Sequence, residues 1–280
     1  MPELPEVEST RRHLEPVLVG ATIIEARATR PRMLRRQVRP VDFADRSRGR
    51  RVLALDRRGK FLLWRLEGDL TTVVHLGMSG RMQVADRGAD APAHANVVWL
   101  LEDAEVRLVD PRTFGFAACV TDDELADLLR GVGRDALVDL PTVDELVDVL
   151  AGRTAPIKAL LLDQRLVAGL GNIYADEVLH GAGVDPVRPA GALTPDEVAA
   201  VLAEIPTVLG KALADGGTSL DDLAYLLPDG RAGEYVSRLA VYGRTGEPCR
   251  TCGTRIERRV VAQRSTHWCP TCQPPSVTLR

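Results

Sequence analysis

The sequence predicts an α+β chain: an N-terminal helix, a β-sandwich or barrel-like module, a helical segment and a C-terminal four-cysteine metal ribbon. Three observations carry this. Short apolar runs rich in β-branched residues, separated by Gly, Pro and Asp, recur through the first part of the chain. Capping-box signals of helix starts take over at Thr121. Four of the five cysteines stand as two Cys-x-x-Cys pairs near the end.

The first element opens Met1-Pro2-Glu3-Leu4-Pro5-Glu6-Val7-Glu8. Leu4, Val7, Arg11, Leu14 and Val17 or Leu18 fall at helical spacing, so residues 3–18 read as an amphipathic helix. Proline suits the first turn, and Glu3, Glu6 and Glu8 suit the positive end of the helix dipole. The same residues carry a chemical reading. Removal of Met1 would leave Pro2 as a free secondary amine, and a terminal amine titrates near pKa ~8 against ~10.4 for a lysine side chain, so more of it is neutral and nucleophilic. Attack on a sugar C1′ aldehyde carbon gives an iminium that cannot discharge by losing an N–H proton. That cation acidifies the C2′ hydrogens and permits elimination of phosphate, a lyase reaction on a nucleic-acid strand. Glu3 and Glu6, three apart and so on one helical face beside the amine, are the candidate acid–base groups.

The apolar runs Ala21–Ala28, Arg51–Asp56, Phe61–Leu66, Thr71–Leu76, Asn96–Leu101 and Glu105–Val109 predict the strands of the first module. Thr121-Asp122-Asp123-Glu124, Thr142-Val143-Asp144-Glu145 and Thr194-Pro195-Asp196-Glu197 then open helices. Between them, Thr154–Gln164 and Asn172–His180 read as two helices joined by a turn containing Gly169-Leu170-Gly171, with Asn172 at the second N-cap. Such a helix start can hold phosphate with backbone N–H groups, although packing alone also explains a helical pair. These changes of pattern divide the chain into residues 1–120, 121–237 and 238–280.

Cys249 and Cys252, then Cys269 and Cys272 after sixteen intervening residues, have the spacing of a zinc ribbon. Four thiolates would close the shell of one structural Zn²⁺. Disulfides are the competing reading, disfavoured because no secretion signal is present. Cys119 stands apart and reads as a small buried apolar residue. Between the two pairs, Arg255, Arg258, Arg259 and Arg264 face a single acid, Glu257, which suits a hairpin that contacts phosphate.

The net charge of −3 conceals a separation. Residues 1–60 hold 15 Lys and Arg against 8 Asp and Glu, and residues 238–280 hold 8 against 2, leaving the middle at −16. Two basic ends could form one electropositive surface for a phosphate backbone, though solvated charge alone gives the same counts. Against 33 arginines there are only three lysines, Lys60, Lys158 and Lys211, so each is a candidate for a specific role. The absence of a signal peptide or long apolar run predicts a cytoplasmic, nucleoid-associated protein with no membrane partner.

The N-terminal Pro2–Glu8 segment together with the cysteine ribbon resembles the bacterial formamidopyrimidine-DNA glycosylases. Five further segments agree in order: Arg57-Arg58-Gly59-Lys60, His75-Leu76-Gly77-Met78-Ser79-Gly80, Asp110-Pro111-Arg112-Thr113-Phe114-Gly115, Gly169-Leu170-Gly171-Asn172-Ile173-Tyr174 and Val241-Tyr242-Gly243-Arg244. The resemblance implies an N-terminal β-sandwich, a helix–two-turn–helix domain and a zinc finger, with damaged duplex DNA held between them by a monomer. It implies excision of oxidised purines such as 8-oxoguanine and formamidopyrimidines, then β,δ-elimination.

Residue by residue, Pro2 matches the family's Schiff-base nucleophile and Glu3 the acid that protonates the opening deoxyribose, with Glu6 supporting it. Lys60 matches the lysine assigned to phosphate contact and β-elimination, and Arg264 the zinc-hairpin arginine assigned to phosphate binding and δ-elimination. Asn172 matches the phosphate-clamping asparagine, and His94, Arg112 and Arg153 align with DNA contacts. Met78, Arg112 and Phe114 match the trio that fills the gap left by an extruded nucleotide; without the resemblance, Met78 and Phe114 would read as core. One departure is visible. The segment from Gly217 to Gly230 is longer than the family's usual damaged-base loop. Two alternatives stay open: an endonuclease VIII-like glycosylase for oxidised pyrimidines, which Leu4, Met78 and Phe114 disfavour, and a non-enzymatic zinc-ribbon DNA-binding protein.

Overall fold

The computed structural model describes residues 2–220 and 225–275, which divide into two compact units. The first joins the chain up to Gly131 with Leu213–Val236, and the second joins Val132–Ala212 with the chain from Ser237 onward.

The first unit opens with helix α1 (Leu4–Leu18), whose Leu4, Val7, Leu14 and Leu18 are buried. Strands β1 (Thr22–Ile23), β2 (Glu25–Ala28), β3 (Arg50–Arg58), β4 (Phe61–Leu66), β5 (Leu70–His75), β6 (Arg81–Asp86), β7 (Ala95–Leu100), β8 (Ala104–Val109) and β9 (Phe116–Thr121) follow, with helix α2 (Asp42–Ser47) before β3 and helix α3 (Asp122–Leu129) after β9. They form a five-stranded sheet in the order β1-β3-β4-β5-β9 and a four-stranded sheet in the order β2-β7-β8-β6. Trp64 of the first sheet and Trp99 of the second meet at the centre, ring centroids 4.7 Å apart, and Phe43 of α2 closes on Trp99. Apolar faces of two sheets meeting in this way make the expected β-sandwich.

Three details depart from the sequence expectation. The run Ala21–Ala28 is not one strand: Ile23 accepts from Gly49 N in the first sheet, while Ile24 donates to Leu100 O in the second, so the chain changes sheets between them. A corner strand that serves two sheets has an uninterrupted apolar sequence but an interrupted ladder. Strand β6 escapes the sequence pattern because, as an edge strand, it buries little beyond Met82. Strand β9 escapes it because its Phe-Ala-Ala-Cys-Val-Thr sequence is poor in β-branched residues.

The second unit carries strand β10 (Arg134–Asp135), helix α4 (Val143–Leu150), helix α5 (Ile157–Leu161), strand β11 (Val167–Ala168), helix α6 (Asn172–Gly181), helix α7 (Pro195–Ala214), which runs on into the first unit's Leu213, and the hairpin β12 (Glu257–Val261) and β13 (Arg264–Trp268). The capping boxes at Thr121 and Thr142 form as expected, and Thr194 exchanges the same pair of hydrogen bonds with Glu197. Helix α5 is shorter than the expected Thr154–Gln164. Proline holds the residue before it out of the helical region, so the helix begins only after Pro156. Gln164 organises the turn between α5 and α6, donating to Leu162 O and Leu170 O and accepting from Gly169 N. Asn172 is not the N-cap of α6. Gly171 takes that extended position, leaving the asparagine side chain at the first helical residue.

Candidate active site and nucleic-acid interface

In the first unit the site starts from the way the chain enters α1. Pro2 is buried, and Glu3 stands at the N-cap, one residue outside the helix, where it forms a reciprocal capping box with Glu6. Glu6 Oε2 accepts the Glu3 N–H at 2.8 Å, and Glu6 Oε1 accepts the Thr218 N–H at 2.7 Å. A carboxylate expected to move protons is therefore committed to two backbone donors from opposite ends of the unit's sequence.

The loop that supplies Thr218 is stitched to itself. Thr218 and Glu234 form an isolated antiparallel bridge, Tyr235 N donates to Gly217 O, and the Ser219 hydroxyl donates to Tyr225 O while accepting from Gly233 N. Tyr225 donates its phenol O–H to Glu6 O and Gly216 O, and burial raises the phenol's pKa, keeping it a donor. Gly217 has φ +89°, and a Cβ there would lie 2.8 Å from Glu6 Oε1. Only glycine fits. Residues 221–224 of this longer loop, and Met1, lie outside the described residues.

Lys60 sits in the tight turn between β3 and β4, largely buried. Glu8 sets that turn. Its Oε2 pairs with Arg57 Nε at 3.1 Å, and Arg57 Nη1 in turn holds Gly59 O at 3.0 Å. Burial pushes the Glu8 carboxyl up, but hydrogen bonds from Arg11 and Arg12 and the Arg57 charge hold it below the ordinary range. In sequence Glu8 reads only as a dipole partner. Across the ladder from Phe61 lies His75, stacked on Phe116 at 5.6 Å and accepting the Gly77 N–H at Nδ1. Burial, then the charges of Lys60, Arg35 and Arg36, hold its imidazole down at about pKa 4. In sequence His75 belongs to a matched segment but carries no role of its own.

The loops at this end of the two sheets carry the remaining candidates. Residues 76–80 run from β5 to β6, and residues 110–115 return from β8 to β9. Met78 is half-buried and Phe114 is partly exposed, with the Arg112 guanidinium 4.6 Å from the Phe114 ring centroid. The exposed His94, at φ +68°, accepts at its carbonyl from Asp110 N. Asp110 is wholly buried, accepting from Ser79 Oγ and Arg112 N at Oδ1 and from Gly115 N at Oδ2. Asp110 is silent in the sequence because a buried acceptor looks, in a string of letters, like any turn aspartate.

In the second unit, α6 and the hairpin are tied by buried ions. Lys158 pairs with Asp176 Oδ1 at 2.7 Å and donates to Ser265 O and Thr266 Oγ1, while Asp176 Oδ2 accepts His267 N. Glu177 accepts from the N–H groups of Ala240, Val241 and Tyr242. Asn172 Nδ2 reaches Ser265 Oγ at 3.4 Å, which places the asparagine beside the residue that follows Arg264. Arg264 is exposed, pairing with Val261 across a turn whose Ala262 and Gln263 have φ of 46° and 61°. The hairpin's arginines differ. Arg259 lies 3.8 Å over the Trp268 ring and pairs with Asp185, Arg255 donates to Gly246 O, and Arg258 is exposed. Arg153 is exposed after α4.

The four Sγ atoms of Cys249, Cys252, Cys269 and Cys272 lie within 4.8 Å of one another, with Cys249–Cys272 at 3.9 Å and Cys252–Cys269 at 3.4 Å. A tetrahedral Zn–S bond of about 2.3 Å requires S–S edges of about 3.8 Å, so the cluster fits one structural zinc. Thr251 N and Cys272 N donate to the Cys249 and Cys269 sulfurs, as thiolate ligands require. Cys119, in the first unit, is buried with its backbone paired with the Gln37 amide.

Comparison with known proteins decides the family. Models of the formamidopyrimidine-DNA glycosylase N-terminal domain, its H2TH domain, and a zinc finger found in FPG and IleRS match residues 1–117, 132–223 and 246–275. The formamidopyrimidine-DNA glycosylase of Thermus thermophilus is 43% identical over 275 residues, 98% of each chain. The chain belongs to the formamidopyrimidine-DNA glycosylase family. It is a DNA glycosylase acting on damaged DNA in base excision repair. The formamidopyrimidine-DNA glycosylase of Chloroflexus aggregans is 46% identical over 277 residues, 98% of each chain. The solved MutM (Fpg) structure from Thermus thermophilus superposes with a TM-score of 0.88 at 42% identity, covering 98% of this chain and 100% of that one. The Lactococcus lactis Fpg bound to DNA containing an abasic site superposes at 0.90 with 34% identity and the same coverage. Among the described residues no helix is long and apolar enough to cross a membrane.

Two expectations follow for this glycosylase. Cys249→Ser should lose zinc and duplex affinity together, read by metal mass spectrometry and fluorescence anisotropy, because an open ribbon cannot hold the hairpin. The neutral His75 should give a pH-dependent part of stability. An unfolded histidine takes up its proton near pH 6.5, so this stabilisation is complete above that pH and is lost as pH falls toward 4. In urea unfolding at pH 7, 6 and 5, the stability gap between wild type and His75→Asn should narrow toward acid.

Proposed function

We propose that this glycosylase removes oxidised purines, 8-oxoguanine and formamidopyrimidines, and then cleaves the strand through a Schiff base on Pro2. The observation that carries this reading is the entrance to α1, where buried Pro2 adjoins Glu3 and the capping box, with the Thr218 loop fixed to the same Glu6 carboxylate. The Pro2 nitrogen attacks C1′ as the bond to the base breaks, the base leaving with the bonding pair and taking up the proton that Pro2 loses; the C1′–O4′ bond then opens to the iminium as Glu3 delivers a proton to O4′. The iminium gives up a C2′ proton and the 3′-phosphate leaves; loss of a second proton expels the 5′-phosphate. Hydrolysis of the remaining iminium returns the free amine. Lys60 assists the first elimination and Arg264 the second, each also neutralising a phosphate. Asn172, His94, Arg112 and Arg153 hold the backbone, and Met78, Arg112 and Phe114 fill the vacated stack.

The reading places Pro2, Glu3 and Lys60 in a catalytic segment 1–120, a helical segment 121–237 that grips the backbone, and a zinc-finger segment 238–280 that grips it and supplies Arg264, in a monomeric cytoplasmic enzyme. An oxidised-pyrimidine specificity has one observation in its favour: a Lactococcus lactis Fpg solved with oxidized-pyrimidine DNA superposes at a TM-score of 0.89 with 34% identity.

Borohydride trapping on duplexes bearing 8-oxoguanine or an oxidised pyrimidine tests the proposal. The processed wild type should form a covalent adduct, preferentially with 8-oxoguanine, and a form retaining Met1 or an N-terminal tag should form none while still binding DNA. Glu3→Gln should slow base excision by ~10²-fold yet still nick a preformed abasic site, whose aldehyde needs no base removal. Equal trapping by the tagged form would remove Pro2 from the mechanism, and a preference for the pyrimidine duplex would reverse the assigned specificity.

A further inference from the structure

Met78 lies on the loop that leaves the first sheet and Arg112 and Phe114 on the loop that re-enters it, more than thirty residues later. We propose that Asp110 is the positioning residue that makes these three side chains one preassembled wedge, so that they enter the duplex as a single body. This rests on the reading above in which the trio fills the space of an extruded nucleotide.

Both loops converge on this carboxylate. Oδ1 accepts the Ser79 hydroxyl at 2.7 Å, from the residue after Met78, and the Arg112 N–H at 3.2 Å. Oδ2 accepts the Gly115 N–H at 2.7 Å, from the residue after Phe114. The Asp110 backbone is fixed as well, its N–H on His94 O at 2.9 Å and its carbonyl taking Asn96 Nδ2 at 2.7 Å. The loops also touch directly. A Cβ on Gly77 would lie 2.4 Å from the Phe114 carbonyl carbon and from Gly115 N, so the two backbones pack too closely to admit a side chain between them. On the far side Arg35 donates to Phe114 O and Gly115 O, each at 2.6 Å. Thr113 is held at φ +53°, a conformation a β-branched residue keeps only when its surroundings impose it.

Opening a base stack costs free energy at each step, and side chains ordered only at that moment add an entropic cost to it. A wedge assembled beforehand carries no such cost at insertion. Asp110 can do this because both oxygens of a carboxylate accept, matching one hydroxyl and two N–H donors. An asparagine of the same shape cannot. Its amide N–H₂ must face either Gly115 N or Arg112 N, donor against donor.

The test compares Asp110→Asn with wild type in two single-turnover assays: excision of 8-oxoguanine from a duplex, which needs the wedge, and nicking of an abasic site in single-stranded DNA, which does not. The proposal expects at least a tenfold loss in the first, the equivalent of one unmade buried hydrogen bond, with a much smaller change in the second. It also expects loss of the fluorescence rise from a 2-aminopurine stacked beside the lesion. Ser79→Ala, which deletes one of the three donors, should fall between wild type and Asp110→Asn; it carries the test alone should the asparagine variant not fold. Equal loss in both assays, or no loss in the duplex assay, overturns the proposal. Failure of the wild type to nick abasic DNA would instead count against the lyase reading.

Discussion

Everything proposed for the N-terminal chemistry depends on one carboxylate, that of Glu6. It joins the first turn of α1 to a loop 212 residues further on. Each of its oxygens accepts one backbone N–H, from Glu3 and from Thr218. The Pro2 entrance and the Thr218 end of the loop are thereby tied to a single group. Tyr225 repeats the tie from the other side, with its phenol on Glu6 O and Gly216 O. Gly217 permits it, since any side chain there would occupy the space of the carboxylate.

The same device recurs away from α1. Asp110 gathers two loops of the sandwich, Asp176 accepts from the zinc hairpin while pairing with buried Lys158, and Glu177 receives three successive N–H groups from Ala240 to Tyr242. Burial lifts the Glu177 carboxyl above its ordinary range even as those three donors oppose the lift. Each acid spares buried backbone N–H groups the cost of having no acceptor. Asp110, Asp176 and Glu177, all in the acidic middle segment, are thus interior acceptors that present no negative surface to a phosphate.

What the sequence disclosed and what it hid divide along physical lines. Helix starts were legible because a capping box is local, needing only a threonine and a glutamate three residues apart. The zinc cluster was legible because ligand spacing within each Cys-x-x-Cys pair is local as well. Strands β3, β4 and β5 announced themselves by apolar runs, whereas β6, an edge strand, and β9, rich in alanine, did not. The roles of Asp110, Asp176 and Glu177 were invisible because each depends on donors supplied by another element. Lys158 was flagged only by the rarity of lysine, and its partner could not be named. Glu3 and Glu6 were singled out as acids, but their division into an N-cap group and a bridge to Thr218 exists only once the loop has folded back.

Amide hydrogen exchange at Thr218 and Glu3, compared between wild type and Glu6→Gln, tests the central claim most directly. Glutamine keeps the shape but replaces one acceptor oxygen by a donor, so either Thr218 N–H or Glu3 N–H must lose its partner. The account predicts protected Thr218 and Glu3 amides in wild type, exchange at least about tenfold faster at one of the two in Glu6→Gln, and a parallel loss of borohydride trapping. Unchanged protection at both amides, or faster exchange with trapping intact, would contradict it.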